Sequence, residues 1–259
     1  MTAPDTSAPD TTAGSASAPW SCILFDLDGT ITDSAPGITA QLAKTLVFMG
    51  LPVPGPAQLL EYVGPPILDS FRDLAGMDDA AQQRALAHYR EGYAGGGVFD
   101  SSVYPGVPDV LRAIHAAGIP LSLATSKPES QARRVLDHYG IADLFTEVCG
   151  ASEDEVRSAK ADVIEEALLR LRRAGVDLDH VVMVGDREHD VLGAAAHGIP
   201  TVMVGWGYGS PAEAAGTIAV VDTAAEPRGD PGARGRASRR LRSPLRIPHK
   251  QEPFHRSGR

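Results

Sequence analysis

Cysteine is nearly absent: Cys22 and Cys149 are the only two in 259 residues. Both sit in apolar surroundings and neither has metal-site spacing, which excludes a disulfide framework or a thiolate metal centre. Buried free thiols in a reducing compartment are expected instead. No apolar run is long enough to span a bilayer, and the start lacks the basic-then-apolar pattern of a secretory leader. A cytoplasmic protein with no membrane partner is expected. Large apolar groups are also scarce in residues 1–19, which are rich in Ala, Ser, Thr, Pro and Asp. Such a segment buries too little surface to offset chain entropy and is expected to be disordered.

Positive charge is scarce over most of the chain and concentrated at its end. Residues 226–259 hold 10 of the 24 Lys and Arg but 3 of the 33 Asp and Glu, leaving 14 basic and 30 acidic residues elsewhere. An acidic body does not suit nucleic acid as a partner. The end segment lacks periodicity, is rich in Arg, Pro, Gly and Ser, and reads as a basic disordered tail. Its cluster Arg236 to Arg242 could contact acidic partners or nucleic acid, although basic tails are usually just solvated. The abrupt change of composition also fits a shifted reading frame.

Between these ends the composition is that of a globular protein, 43% hydrophobic and 22% charged. Short apolar runs alternate with helical patterns closed by glycine. Strands are expected up to about Asp28 and over Pro120–Thr125, Leu144–Cys149, Val181–Gly185, Thr201–Val204 and Ile218–Val221, with helices between them. This predicts an α/β fold, a Rossmann-like parallel sheet with helices on both faces. Residues 35–100 show apolar residues only at helical spacing (Leu59, Leu60, Val63; Ile67, Leu68, Phe71, Leu74; Leu86, Tyr89, Tyr93). They read as a small α-helical cap inserted after the first strand, with 20–34 and 101–225 forming the core.

The stretch Ile23-Leu24-Phe25-Asp26-Leu27-Asp28-Gly29-Thr30 organises the rest. An apolar strand runs into carboxylates at i and i+2, which alternation aims the same way. Close carboxylates repel unless a cation or a proton holds them, and a hard divalent cation such as Mg2+ suits oxygen ligands. A plain strand-to-turn junction explains the same letters, since Asp and Gly both form turns. Three later positions add weight. Thr125, Ser126 and Lys127 place two hydroxyls and a cation at a strand end, which suits phosphate oxygens; helix capping by either hydroxyl is the ordinary alternative. Lys160 opens a helix, where its charge opposes the dipole, so a nearby anion would explain it better than a surface preference. Asp186 ends the apolar run Val181–Gly185, and Asp190 follows one helical turn later; Glu188 and His189 between them are expected to be exposed or supporting. Gly205-Trp206-Gly207-Tyr208-Gly209 lacks dinucleotide-loop spacing and reads as a tight turn.

Taken together, Asp26-Leu27-Asp28-Gly29-Thr30, Thr125 with Ser126, Lys160, and Gly185-Asp186 with Asp190 make the chain resemble the haloacid dehalogenase superfamily of phosphatases, particularly its phosphoglycolate phosphatase-like members. The resemblance covers about 20–222. It departs from near relatives at Ser126, where an asparagine is common, and at Lys160-Ala161, where a lysine-proline pair is. The resemblance implies that Asp26 is a nucleophile forming an aspartyl-phosphate and that Asp28 serves first as acid, then as base. It implies Mg2+ held by Asp26, the Asp28 carbonyl and Asp186, with Asp190 orienting that shell. Thr125, Ser126 and Lys160 would bind phosphate. Gly64 and Pro65 resemble the cap loop facing the substrate, and Arg72 is a candidate anion contact. The implied function is Mg2+-dependent hydrolysis of a small phosphorylated metabolite, phosphoglycolate-like or a nucleoside monophosphate. A phosphomutase or phosphotransferase is the alternative, and a non-catalytic interaction protein using the basic tail is the third reading.

Overall fold

The computed structural model describes residues 20–224. The expected disorder of 1–19 and the basic tail lies outside them. Strand β1 (Cys22–Phe25) leads to a two-residue strand, β2 (Thr32–Asp33), then to helices α1 (Ala35–Phe48), α2 (Pro56–Leu60), α3 (Ile67–Asp73) and α4 (Asp79–Ala94), and to the short strand β3 (Ser102–Val103). Helix and strand then alternate: α5 (Val107–Ala116), β4 (Leu121–Pro128), α6 (Glu129–His138), β5 (Glu147–Ala151), α7 (Lys160–Arg173), β6 (Val181–Gly185), α8 (Glu188–Ala195), β7 (Thr201–Val204) and β8 (Ala219–Val221).

Six strands form one sheet in the order β5-β4-β1-β6-β7-β8, and every pairing is parallel. The expected α/β class is therefore the observed one. All four residues of β1 are buried, because both faces of the sheet are covered. Cys22 and Leu24 pack with Val163, Ile164, Ala167 and Leu171 of α7 on one face. Ile23 and Phe25 pack on the other with Leu111, Val135 and Leu136. The chain lays β4 and β5 on one side of β1 and then crosses to β6 on the other. That reversal opens a crevice beyond the carboxyl ends of the central strands, where ligands of such sheets bind.

β1 stops at Phe25 rather than near Asp28. Asp26 still donates its amide to Val184 O at 2.9 Å, but Leu27 O then accepts from the amides of Thr30, Ile31 and Thr32, which curls the chain into a turn. β2 and β3 pair antiparallel, Thr32 with Val103 and Asp33 with Ser102. They tie together the entry and exit of the helical segment. Residues 103–107 thus rejoin the core through this small ribbon rather than through the main sheet. Within the segment α1 meets α4: the Phe48 ring stacks on His88 with centroids 4.2 Å apart, and Thr45 Oγ1 lies 3.1 Å from His88 Nδ1. Among the described residues no helix is long and apolar enough to cross a membrane.

Candidate active site

The floor of the crevice is made of strand ends. Lys160 is the first member of a buried stripe on α7, followed by Val163, Ile164, Ala167 and Leu171. The stripe faces the sheet, so the lysine is carried to the carboxyl end of β1. Its Nζ lies 2.8 Å from Asp26 Oδ1 and 2.8 Å from Asp190 Oδ1, and donates to Ala124 O at 3.0 Å. Asp190 Oδ2 accepts from the amides of Asp186 and Arg187 at 3.0 and 3.1 Å, which fixes the turn after β6. Asp186 accepts from the Tyr208 amide at 2.7 Å and from Thr30 Oγ1 at 3.3 Å. Gly29 adopts φ +88°, and a Cβ there would collide with the Asp186 carboxylate. A side chain at this position is thus excluded twice over, by backbone conformation and by contact.

Asp26, Asp186 and Asp190 each offer an oxygen within 4.8 Å of the others, and all three are buried. Burial pushes the Asp26 carboxyl up to about 6, with Lys160 opposing the shift and Asp190 adding to it. Asp186 is raised well above the usual carboxylate range by burial, then by Asp190 and Asp26. Burial also works against the Lys160 ammonium, but Asp190 and Asp26 outweigh it and hold the charge. One lysine facing three buried carboxylates leaves an excess of negative charge. An all-oxygen donor set with that excess fits a hard divalent cation.

A family model described as haloacid dehalogenase-like hydrolase matches residues 23–204. The chain belongs to that family. It is 45% identical over 187 residues to the tyrosine-protein kinase PtkA of Mycobacterium tuberculosis, a match covering 72% of this chain and 62% of that protein. It is 38% identical over 188 residues to a 5'-nucleotidase of Pseudomonas aeruginosa, covering 73% of this chain and 84% of the relative. Among solved structures it is similar to a predicted phosphatase from Clostridium acetobutylicum, with a TM-score of 0.74 and 34% identity, covering 79% of this chain and 94% of that one.

In this haloacid dehalogenase-like chain the floor gathers Asp26, Lys160, Asp186 and Asp190 as the sequence suggests. The side chain of Asp28 stands apart. The turn after β1 sends it to a second buried lysine, Lys127, whose Nζ donates to its two oxygens at 3.1 and 2.9 Å. Asp26 and Asp28 thus each pair with a lysine of their own, Lys160 and Lys127. Neither Thr125 nor Ser126 caps α6, whose N-cap is Pro128. Both line a cavity with Asp26 and Asp28. The Ser126 hydroxyl is buried without a hydrogen-bond partner.

The roof comes from the helical segment. Gly64 and Pro65 line the cavity, as do Tyr62, Tyr89 and Tyr93. Arg72 does not. It is exposed and bonds Asp69 and Asp73, each at 2.8 Å, so the anions it meets are its own helix neighbours. Two arginines join roof to core. Arg90 pairs with Glu155 at 2.6 Å and donates to Glu153 O at 2.7 Å, while Arg187 donates to Val63 O at 2.6 Å and pairs with Glu213. His189 is half-buried and Glu188 exposed. A larger cleft of about 530 Å³, lined by Asp69, Arg187 and His189, lies beyond Pro65 and Pro66. The cavity over Asp26 measures about 60 Å³.

Sequence reasoning missed three members of the site. Lys127 was visible as a cation at a strand end, without a partner. Tyr93 read only as a core residue at helical spacing. The loop after β7 read as a turn, yet the Tyr208 amide holds Asp186, its hydroxyl accepts from the amides of Ser34 and Ala35 at 2.7 and 2.9 Å and donates to Asp33 at 2.9 Å, and Trp206 Nε1 donates to Thr30 O. The repeated glycines were the available signal, because glycine marks close backbone approach. A Cβ on Gly207 would lie 2.5 Å from Gly29 O and would strike Asp186.

Proposed function

We propose that this chain is a Mg2+-dependent phosphatase that hydrolyses a small phosphorylated metabolite through an aspartyl-phosphate on Asp26. The observation that carries this reading is the convergence of Asp26, Lys160, Asp186 and Asp190 at one point over the sheet. An Asp26 oxygen attacks phosphorus and the bond to the alcohol oxygen breaks, while Asp28 gives that oxygen a proton. Asp28 then takes a proton from water, which attacks the aspartyl-phosphate and frees inorganic phosphate and Asp26. Lys160 lies against the nucleophile and offsets the charge that a phosphate dianion brings to a carboxylate. Ser126 and Thr125 supply hydroxyls to phosphate oxygens, and the unpartnered Ser126 hydroxyl supports this. Asp26, the Asp28 carbonyl and Asp186 would hold Mg2+, with Asp190 orienting the turn and Lys160. When bound, the metal supplies positive charge where the anions meet.

Residues 35–100 act as a cap over a core of 20–34 and 101–224. The roofed cavity of about 60 Å³ has room for a few waters. An ester with a bulkier alcohol, a nucleoside monophosphate included, therefore requires the cap to lift, whereas phosphoglycolate asks for less room. Two buried free thiols suit a cytoplasmic place of action. A phosphotransferase using the same Asp26 chemistry is the second reading. Its support is the 45% identity to a protein named as a kinase. A panel of phosphate monoesters, assayed for inorganic phosphate with and without Mg2+, tests the proposal. Phosphate release that needs Mg2+ is expected. No turnover on any ester would sink it, and transfer to an added hydroxyl acceptor in place of water would favour the second reading.

A further inference from the structure

Two buried lysines serve the site, and the family resemblance accounts for one of them. Lys127 belongs to β4 of the core. Its ammonium has three N–H donors, and the structure gives each an acceptor: Asp28 Oδ1 at 3.1 Å, Asp28 Oδ2 at 2.9 Å and Tyr93 Oη at 2.9 Å. The lysine and Asp28 side chains are 4% and 10% exposed. With every donor spent inside the protein, Lys127 is not arranged to grip a substrate. It is arranged to grip Asp28. The third acceptor belongs to α4, in the helical segment, on the opposite side of the cavity. Tyr93 is itself held by stacking on Tyr89, with centroids 5.4 Å apart.

We infer that Lys127 is a positioning residue for Asp28, and that the Tyr93 hydroxyl completes its geometry only when the helical segment is docked on the core. This deepens the phosphatase reading and rests on it. A carboxylate gripped at both oxygens is fixed in plane and direction. General acid–base catalysis needs that, since the proton must pass over a hydrogen-bond distance to one particular oxygen. Linking the grip to α4 makes the acid–base group competent in the closed state and slack in the open one. Closure then does more than exclude water.

A merely structural ion pair would behave differently. Buried pairs of this kind often add little to stability over apolar replacements, so a structural role would leave the partition between chemical steps unchanged. p-Nitrophenyl phosphate separates the steps, because p-nitrophenolate leaves without needing a proton whereas the aspartyl-phosphate still needs Asp28 as a base to hydrolyse. Stopped-flow assays of Lys127→Met and Tyr93→Phe should show a burst of p-nitrophenolate followed by slow turnover. Steady kcat should fall about a hundredfold for the first and about tenfold for the second, with KM changed less than about threefold. Single-turnover losses should be larger with an alkyl phosphate, whose alcohol needs the proton. Combining Lys127→Met with Asp28→Asn should cost no more than Asp28→Asn alone, since residues acting as a unit are not additive. Tyr93→Phe keeps the ring and its stacking, so it reports on the hydroxyl even where Lys127→Met folds poorly. Wild-type turnover with an unchanged burst and kcat in Tyr93→Phe, or losses that multiply with Asp28→Asn, would overturn the inference alone. A wild-type protein without turnover would overturn the phosphatase reading beneath it.

Discussion

Lys160 and Lys127 are both buried, both charged and both meet three neighbouring oxygens, yet they belong to different regions. Lys160 meets core groups: it pairs with Asp26 and Asp190 and donates to Ala124 O. Lys127 bonds Asp28 of the core and Tyr93 of the helical segment. The floor is therefore assembled within the core alone, from the ends of β1 and β6 and the first turns of α7 and α8. The roof half of the site exists only while the helices are docked. In the proposed reaction, a site divided in this way keeps Asp26, Lys160 and Asp186 ready and makes proton transfer through Asp28 depend on closure.

The largest expected effect tests the floor. Asp26→Asn should lower phosphate release by about ten-thousandfold or more while leaving the circular dichroism spectrum and melting curve near those of the parent. Lys160→Met comes next. It removes the ammonium that faces Asp26 and Asp190 at 2.8 Å, so turnover should fall about a thousandfold. Breaking a buried charge network should also destabilise the fold by about 3 kcal/mol, read from urea unfolding. A loss of turnover from Lys127→Met as large as that from Lys160→Met would erase the distinction between the two lysines. Gly207→Ala pushes a Cβ into Asp186 and Gly29 O. It should weaken apparent Mg2+ affinity about tenfold to a hundredfold, measured as the metal concentration at half-maximal activity. A smaller effect is expected at the roof. Arg90→Ala deletes the 2.6 Å pair with buried Glu155, which should raise KM a few-fold, change kcat less than twofold and cost about 1–2 kcal/mol. Smallest of all is the response of the thiols. Burial pushes Cys22 and Cys149 each up to about 12, so at pH 8 the reactive thiolate is scarce and neither should be alkylated until the protein is unfolded.

The same division governs what could be read from the sequence. Floor residues follow apolar strands directly, Asp26 after Ile23–Phe25 and Asp186 after Val181–Gly185, so strand ends announce them. Lys160 was legible because its position opposes a helix dipole. The roof gives no such sign. Tyr93 lies 34 residues from Lys127, on a helix whose rotation over the sheet is decided by packing, not by local pattern. Arg72 shows the converse: it sits near Gly64 and Pro65 in the chain, but its turn of α3 faces away and Asp69 and Asp73 hold it. The strand near Asp28 read too long because a turn held by Leu27 O has the same letters as a strand end. Tyr208 was hidden for a different reason, since its contribution to Asp186 is a backbone amide and carries no side-chain signature.

In the proposed reaction Asp26 supplies the oxygen that bonds phosphorus, with Lys160, Asp186 and Asp190 already around it. Rapid acid quench of the enzyme during turnover, followed by peptide mass spectrometry, addresses this directly. A phosphoryl group on the peptide containing Asp26, absent when Mg2+ is withheld, is the predicted result. Steady turnover with that peptide unmodified, or with the label on another residue, would contradict it.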